Sequence, residues 1–500
     1  MASTSWNGEE KNDSGAQKPY LTCGKRHGKR NLKYITMKTM KKMNERKGLM
    51  AMGFMPLFVG VIIGIGALTP AQTQVIAIGG PDNEEARSII QTTDGGYAVA
   101  GYTQSFGAGG EDVYVVKLDG SGNIQWTRTI GGQYNDMGAS IIQTTDGGYA
   151  MAGYTQSFGA GDFDVYIVKL DGSGNIQWTR TIGGGSEDRG YSIIQTSDGG
   201  YAVAGWTWSF GAGWKDVYVV KLDGSGNIQW TRTIGGQYND DMGASIIQTT
   251  DGGYAVAGFT ASFGYGGFDV YTEKLDVYVV KLDGSGNIQW TRTIGGSNWN
   301  EGHSIIQTTD GGYAVAGSTA SFGAGNYDVY VVKLDGSGNI QWTRTIGGGD
   351  RDYGYSIIQT SDGGYAVAGW TWSFGAGWND VYVVKLDGSG NIQWTRTIGG
   401  SGKEEGSSII QTRDGGYAVA GFTASFGYGD FDVYVVKLDG SGNVNVGSCG
   451  SVLSNRGTGG TGGNVSVANP STSSGGTVSS GGVAGSGGNV SVCVPLSGKK

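Results

Sequence analysis

The stretch Leu118-Asp-Gly-Ser-Gly-Asn-Ile-Gln-Trp-Thr-Arg-Thr-Ile-Gly-Gly132 decides the fold. From Asp119 to Gly132 it recurs letter for letter five more times. Its tryptophan falls at Trp126, Trp178, Trp230, Trp290, Trp342 and Trp394. A second marker, Asp-Gly-Gly-Tyr, starts at Asp94, Asp146, Asp198, Asp251, Asp310, Asp362 and Asp414, in steps of 52, 52, 53, 59, 52 and 52 residues. A fixed period of this size is the signature of a repeat architecture, in which each unit buries its apolar faces only against its neighbours.

Working outward from Trp126, each repeat reads as four short strands, here A to D. Ser88–Thr92 is A and Tyr97–Thr103 is B, joined by the turn Thr93-Asp-Gly-Gly96. Asp-Gly favours a hairpin because glycine accepts positive φ at no steric cost. Asp112–Leu118 is C, rich in β-branched and aromatic residues. The turn Asp119–Asn123 leads into D, Ile124–Ile130, which alternates apolar and polar. No window carries a helical period. Seven such units describe an all-β, seven-bladed β-propeller of four-stranded antiparallel blades over 73–447. The last repeat ends at Asp439–Val446 without its tryptophan strand, while Thr73–Gly80 aligns with Gln125–Gly132. The N-terminal strand is therefore expected to close the last blade.

The Leu-Asp-x-x-Gly-x-x-x-Trp segments resemble the tryptophan-docking motif of propellers such as those of quinone-cofactor dehydrogenases. The whole unit, Asp-Gly-Gly-Tyr to Trp, is more similar to the repeats of uncharacterised exported bacterial and archaeal propellers. The resemblance implies a fold in which the outer-strand indole packs on the next blade. It implies no activity.

Residues 1–48 carry 12 Lys and Arg against 4 Asp and Glu, a balance of +8 that leaves −16 for the remainder. So acidic a body repels phosphate backbones, which argues against a nucleic-acid partner. Residues 49–71 hold an apolar run, Leu49 to Leu68, behind Lys41, Lys42, Arg46 and Lys47. Two readings stay open: a signal peptide cleaved near Thr69-Pro-Ala71, or a membrane anchor through 49–68. Either exports the repeats to the outside or the cell surface. One irregularity is a tandem copy, Asp269–Leu275 before Asp276–Leu282. The second copy is expected to be the strand and the first to bulge from the B–C loop. Residues 448–500 form a Gly/Ser/Thr-rich tail, either a flexible linker or a small β-rich module stapled by Cys449 and Cys493. Cys23 is the third cysteine, and no Cys/His set has metal-ligand spacing.

The A–B and C–D turns are constant, so variation concentrates in the D–A and B–C loops at the other end of the ring. The candidate ligand residues there are Trp214, Trp378, Trp299, Tyr134, Tyr238, Asp240 and Asp352. Aromatic faces stack on the C–H groups of a sugar while acids and amides bond its hydroxyls; a peptide suits the same groups. The pairs Glu187/Asp188, Asp240/Asp241 and Glu404/Glu405 raise the question of glycosidase chemistry, which needs two carboxyls in unlike settings. They are scattered over near-identical blades, which argues against an enzyme. His303, with no partner constellation, reads as a solvated loop residue. Asp119, Ser121 and Asn123 begin like a calcium loop but lack its closing glutamate, so they read as a turn. The sequence calls for no cofactor and no metal. It leads to an exported, non-enzymatic binding propeller with an extracellular glycan or protein partner. The alternatives are a structural spacer or lattice unit and, last, a hydrolase.

Overall fold

The computed structural model describes residues 74–237, 240–264, 274–375 and 377–444, and the backbone of seven short strands between 451 and 491. The leader, the 49–71 segment, Tyr238 and most of the first tandem copy lie outside the described residues. Among those described, no helix is long and apolar enough to cross a membrane.

The described strands build seven antiparallel sheets in a ring, a seven-bladed β-propeller. Blade one runs Glu84–Gln91, Tyr97–Thr103, Asp112–Leu118, Ile124–Gly131 from axis to rim, and blades two to six repeat it. Blade seven takes Glu404–Gln411, Tyr417–Thr423 and Asp432–Leu438 from the end of the repeats. Its fourth strand is Gln74–Gly79, with Val75 opposite Val436 and Ile78 opposite Val433. The N-terminal clasp is thus observed. The second tandem copy, Asp276–Leu282, is the third strand of blade four as expected, while the bulge expected of the first falls mostly outside the described residues.

Strand C is apolar at successive positions because both of its faces are covered. Val113 and Val115 join the core shared with blade two, while Tyr114, Val116 and Leu118 face blade seven. A sheet buried on both sides does not alternate in polarity. At the rim, the docking motif works as a clamp. Half-buried Trp126 sits edge-on to Tyr149 of blade two, ring centroids 5.7 Å apart. Arg128 stacks on Trp126 and donates from Nε to the Gly174 carbonyl at 2.9 Å and from Nη2 to Ser173 at 2.8 Å. Gly174 has φ of 80°, and a Cβ there would sit 2.9 Å from the indole. Glycine is required at this turn for both reasons. The clamp repeats at six of the seven seams. At the seam between blades seven and one, Gln74 and Ile76 stand against Gly122 instead.

Two expectations change. Strand A starts four residues earlier than its sequence pattern implied, at Glu84 rather than Ser88. The D–A "loop" residues Asp188, Arg189, Asp241 and Asp352 are therefore in the innermost strands. The tail, expected as a linker or a separate module, contributes a three-residue fifth strand to every blade. It runs backward around the rim: Ser451–Leu453 on blade six, then one strand each on blades five, four, three, two and one, and Asn489–Ser491 on blade seven. These strands cover the outer edges, which would otherwise offer unpaired N–H and C=O groups.

Cys449 and Cys493 lie outside the described residues, but the strands that they flank do not. Successive belt strands are joined by three or four residues, as at 461–463 and 467–470. From Asn489–Ser491 on blade seven back to Ser451–Leu453 on blade six, the chain has Val492-Cys493 and Cys449-Gly450 to offer. A disulfide would make that the same four-residue step. Non-reducing peptide mapping of oxidised full-length protein is expected to find Cys449 joined to Cys493. Free thiols at both would mean that the belt is not locked.

Candidate functional site

The innermost strands carry the site. Each starts with a buried acid or amide and then an x-Gly-x triplet (Ala86 replaces the glycine in blade one) before the constant Ser-Ile-Ile-Gln. In blade three, Gly190 pairs with Gly205 and Ser192 with Ala204, leaving Tyr191 as the extra residue of a β-bulge. The same shift recurs in all seven blades. A bulge bends the strand and re-aims one side chain. Here it aims Arg87, Ala139, Tyr191, Ala244, His303, Tyr355 and Ser407 at the axis. All seven line a single cavity of about 430 Å³, with Met137, Tyr154, Met242 and Phe259 behind them. That volume is in the usual ~300–1,000 Å³ range of small-ligand pockets.

The wall is uneven. Blades two and four contribute alanine and methionine; blades five, six, seven and one contribute His303, Tyr355, Ser407 and Arg87. Arg87 is ion-paired to Glu85 at 2.7 Å, and His303 Nε2 lies 3.3 Å from Glu301. Trp370 Nε1 donates to the Tyr355 hydroxyl at 2.9 Å, and Trp206 Nε1 to that of Tyr191 at 3.2 Å. Beside the cavity, burial and the neighbouring Glu85 push the Glu405 carboxyl up to about 7, against the pull of Arg87 and a hydrogen bond from Asn379.

The loop end above the axis bears the exposed aromatics. Trp214 stacks on Trp208 at 6.4 Å in blade three, and Trp378 on Trp372 at 6.2 Å in blade six. All four indoles are exposed, Trp214 at 62% and Trp378 at 59%. Lys403 lies over Trp378 and Lys215 over Trp206. Trp299 and Tyr134 are exposed singly on their own blades. Asp240 is ion-paired to Lys215 at 3.2 Å. Tyr238 lies outside the described residues.

Asp352 does not belong with these. It is fully buried and accepts hydrogen bonds from the Thr371 and Ser373 hydroxyls and the Gly348 N–H. It is part of the frame, as are Asp188, Asp241 and Glu404, each with no exposed surface. His303 is likewise corrected: it lies in the innermost strand of blade five, against Tyr355 at 5.2 Å and partly buried, not in a solvated loop. Sequence reading missed the bulged ring as a whole. Its signal was present: the triplet before Ser-Ile-Ile varies as Glu-Ala-Arg, Met-Gly-Ala, Arg-Gly-Tyr, Met-Gly-Ala, Glu-Gly-His, Tyr-Gly-Tyr and Glu-Gly-Ser within otherwise near-constant strands.

No family model matches the chain. The regulatory protein FlaEY of Caulobacter vibrioides is 25% identical over 416 residues, covering 69% of this chain and 42% of that protein. The chain thus spans less than half the length of this curated relative. Among solved structures, a protein of unknown function from Bacteroides caccae is similar over 65% of this chain and 93% of its own, at 12% identity and a TM-score of 0.34. An endo-1,5-α-L-arabinanase from Thermotoga petrophila RKU-1 is similar over 72% of this chain and 100% of its own, at 13% identity and a TM-score of 0.29. At such identities a likeness says nothing of activity.

Proposed function

We infer that this chain is an exported, surface-associated binding ring that takes a glycan at its D–A/B–C loop end and performs no reaction. The observation that carries this reading is the pair of stacked, exposed indole platforms, Trp208/Trp214 and Trp372/Trp378, in a ring whose blades are otherwise near copies. Large apolar groups on a soluble surface cost free energy unless something covers them. Stacked indoles present flat faces to the C–H groups of a sugar, and Lys403, Asn379 and the Asp240–Lys215 pair supply hydrogen-bonding neighbours. Of the three carboxylate pairs weighed for a glycosidase, one member of each, Asp188, Asp241 and Glu404, is buried in the frame. Export follows from the basic and apolar segments that precede the ring.

The test is a glycan array probed with the full chain. A hit is expected, and Trp214→Ala with Trp378→Ala should weaken it at least tenfold without moving the melting temperature. Ordered self-assembly with no glycan bound would favour the spacer reading, and capture of a peptide alone would favour a protein ligand.

A further inference from the structure

We propose that the axial cavity is a second binding site, for one neutral sugar ring, separate from the indole platforms. The proposal rests on the glycan reading and deepens it.

The first argument is where the sequence differs. Blades two to six share their third strand almost letter for letter and their fourth strand completely. At the bulge the same blades carry alanine, tyrosine, alanine, histidine and tyrosine. Packing accounts for part of this variety, since His303 meets Tyr355 and Tyr191 meets Tyr154 of the neighbouring blade, but the same seven side chains also line the bore. Ala139 and Ala244 on blades two and four are the smallest of the seven bulged side chains that line the open space.

The second argument is charge. Arg87 is closed by Glu85, and His303 faces Glu301. An anion would approach Arg87 only alongside Glu85 and Glu405. A cation would meet Arg87 itself. Either sign meets a like charge, and a buried unpaired charge is costly. The ligand that fits is uncharged.

The third argument is hydrogen-bond polarity. A phenol has one O–H to donate and lone pairs to accept. Trp206 and Trp370 donate into the Tyr191 and Tyr355 oxygens and leave both O–H groups free to donate. Ser407 and the remaining Arg87 N–H groups lie on the same wall as Tyr355. Across the bore, Met137, Met242, Phe259 and the two alanines offer an apolar surface. Donors thus stand on both sides, Tyr191 on blade three and Tyr355, Ser407 and Arg87 opposite, with carbon surface from Met137, Met242, Phe259 and the alanines beside Tyr191. A neutral pyranose has both: ring and hydroxyl oxygens on its edge, C–H groups on its face.

The experiment is calorimetric titration of the full chain with glucose, galactose, mannose and N-acetylglucosamine, with choline and benzoate as charged comparators. One neutral sugar is expected to bind at millimolar or better, ahead of both comparators. Ala139→Phe with Ala244→Phe should fill the bore and lower that affinity at least tenfold. Tyr191→Phe with Tyr355→Phe, which keeps the volume and removes two donors, should do the same if the filled variant fails to fold. Trp214→Ala with Trp378→Ala should leave monosaccharide binding intact. Tighter binding of choline or benzoate would overturn the proposal. So would sugar binding that ignores the cavity variants but is lost in the tryptophan variants, and that result would leave the platform reading standing. Silence to every sugar here, with array hits intact, would likewise sink the cavity alone.

Discussion

Deletion of residues 73–80 is expected to abolish the cooperative thermal transition of the ring, or to lower its midpoint by tens of degrees. The deleted strand is the only fourth strand of blade seven among the described repeats, and Val75, Ile76, Ala77 and Ile78 are all buried. Burying valine and two isoleucines stabilises by roughly 1.5–3 kcal/mol each. Their loss, before any ladder hydrogen bond is considered, is about as large as the ~5–15 kcal/mol net stability of a typical domain. The position aggravates the loss. The other six seams are held by a tryptophan and an arginine; this one has Gln74 and Ile76, helped by Arg413, whose guanidinium donates to the Thr93 carbonyl at 2.9 Å. Opening is expected to begin between blades seven and one, with amide exchange fastest along Glu84–Gln91 and Asp432–Leu438. Circular dichroism of the deletion and of Ile78→Asp is the measurement. A melt unchanged in both would mean that the clasp is not what closes the circle.

The clasp was legible before any coordinates because its evidence is local: the last repeat lacks a strand and the first residues supply it. The blade count and the docked indole were legible for the same reason, since Trp126 and the turn that it grips recur at a fixed spacing. The bulged ring was not. Residues such as Tyr191 and His303 sit between a variable loop and a short apolar strand, and nothing local says on which side a bulge will throw them. That follows only once seven innermost strands surround one axis. Asp352 was misplaced for a related reason. Its partners, Thr371 and Ser373, lie about twenty residues on, and its burial is a property of the junction with the preceding blade. The tail was opaque because its triplets are too short and too polar to announce strands. They pair only because a rim edge is already there.

The ring should be most stable near pH 4 and lose stability as the pH rises toward 8, and the cause is the same set of buried acids. At each junction between blades, the first residue of strand C faces the first residue of the next strand A across a glycine. At Gly183, the oxygens of Asp164 and Asp188 come within 1.8 and 2.6 Å of where a Cβ would stand. The same crowding joins Asp112 to Asp136, Asp216 to Asp241, Asp328 to Asp352, Asp380 to Glu404 and Asp432 to Glu84. One oxygen each of Asp164, Asp216 and Asp432 has no donor. Burial pushes Asp241, Asp328 and Asp432 up to about 6, with a neighbouring acid of the same pair adding to the rise; hydrogen bonds from backbone and hydroxyl groups oppose it. These acids are protonated more readily in the folded ring than in the unfolded chain. Their contribution is therefore fully present below the ordinary aspartate range and is lost as the pH climbs through about 6. Blade five provides the internal control. There the second acid is Asn300, whose amide donates to Asp276 at 3.2 Å, the bond that a shared proton would make elsewhere. Asp241→Asn should therefore stabilise the ring at pH 8, by roughly 2–3 kcal/mol, by about half as much at pH 5, and change little near pH 3.5, where both states hold the proton. Around Asp241 the facing groups are Asp216, whose carboxyl burial also pushes up, the Thr260 and Ser262 hydroxyls, the Gly236 N–H and the Tyr278 ring. Asn300→Asp should do the reverse, destabilising at pH 8 and sparing pH 3.5. Glu405, held at about 7 beside Glu85, acts in the same direction, so the alkaline loss should extend past neutrality. Melting curves from pH 3.5 to 8.5 for the three proteins decide it. A midpoint that rises with pH, or an Asp241→Asn effect of equal size at both ends, would show that these junctions are held by something other than a proton.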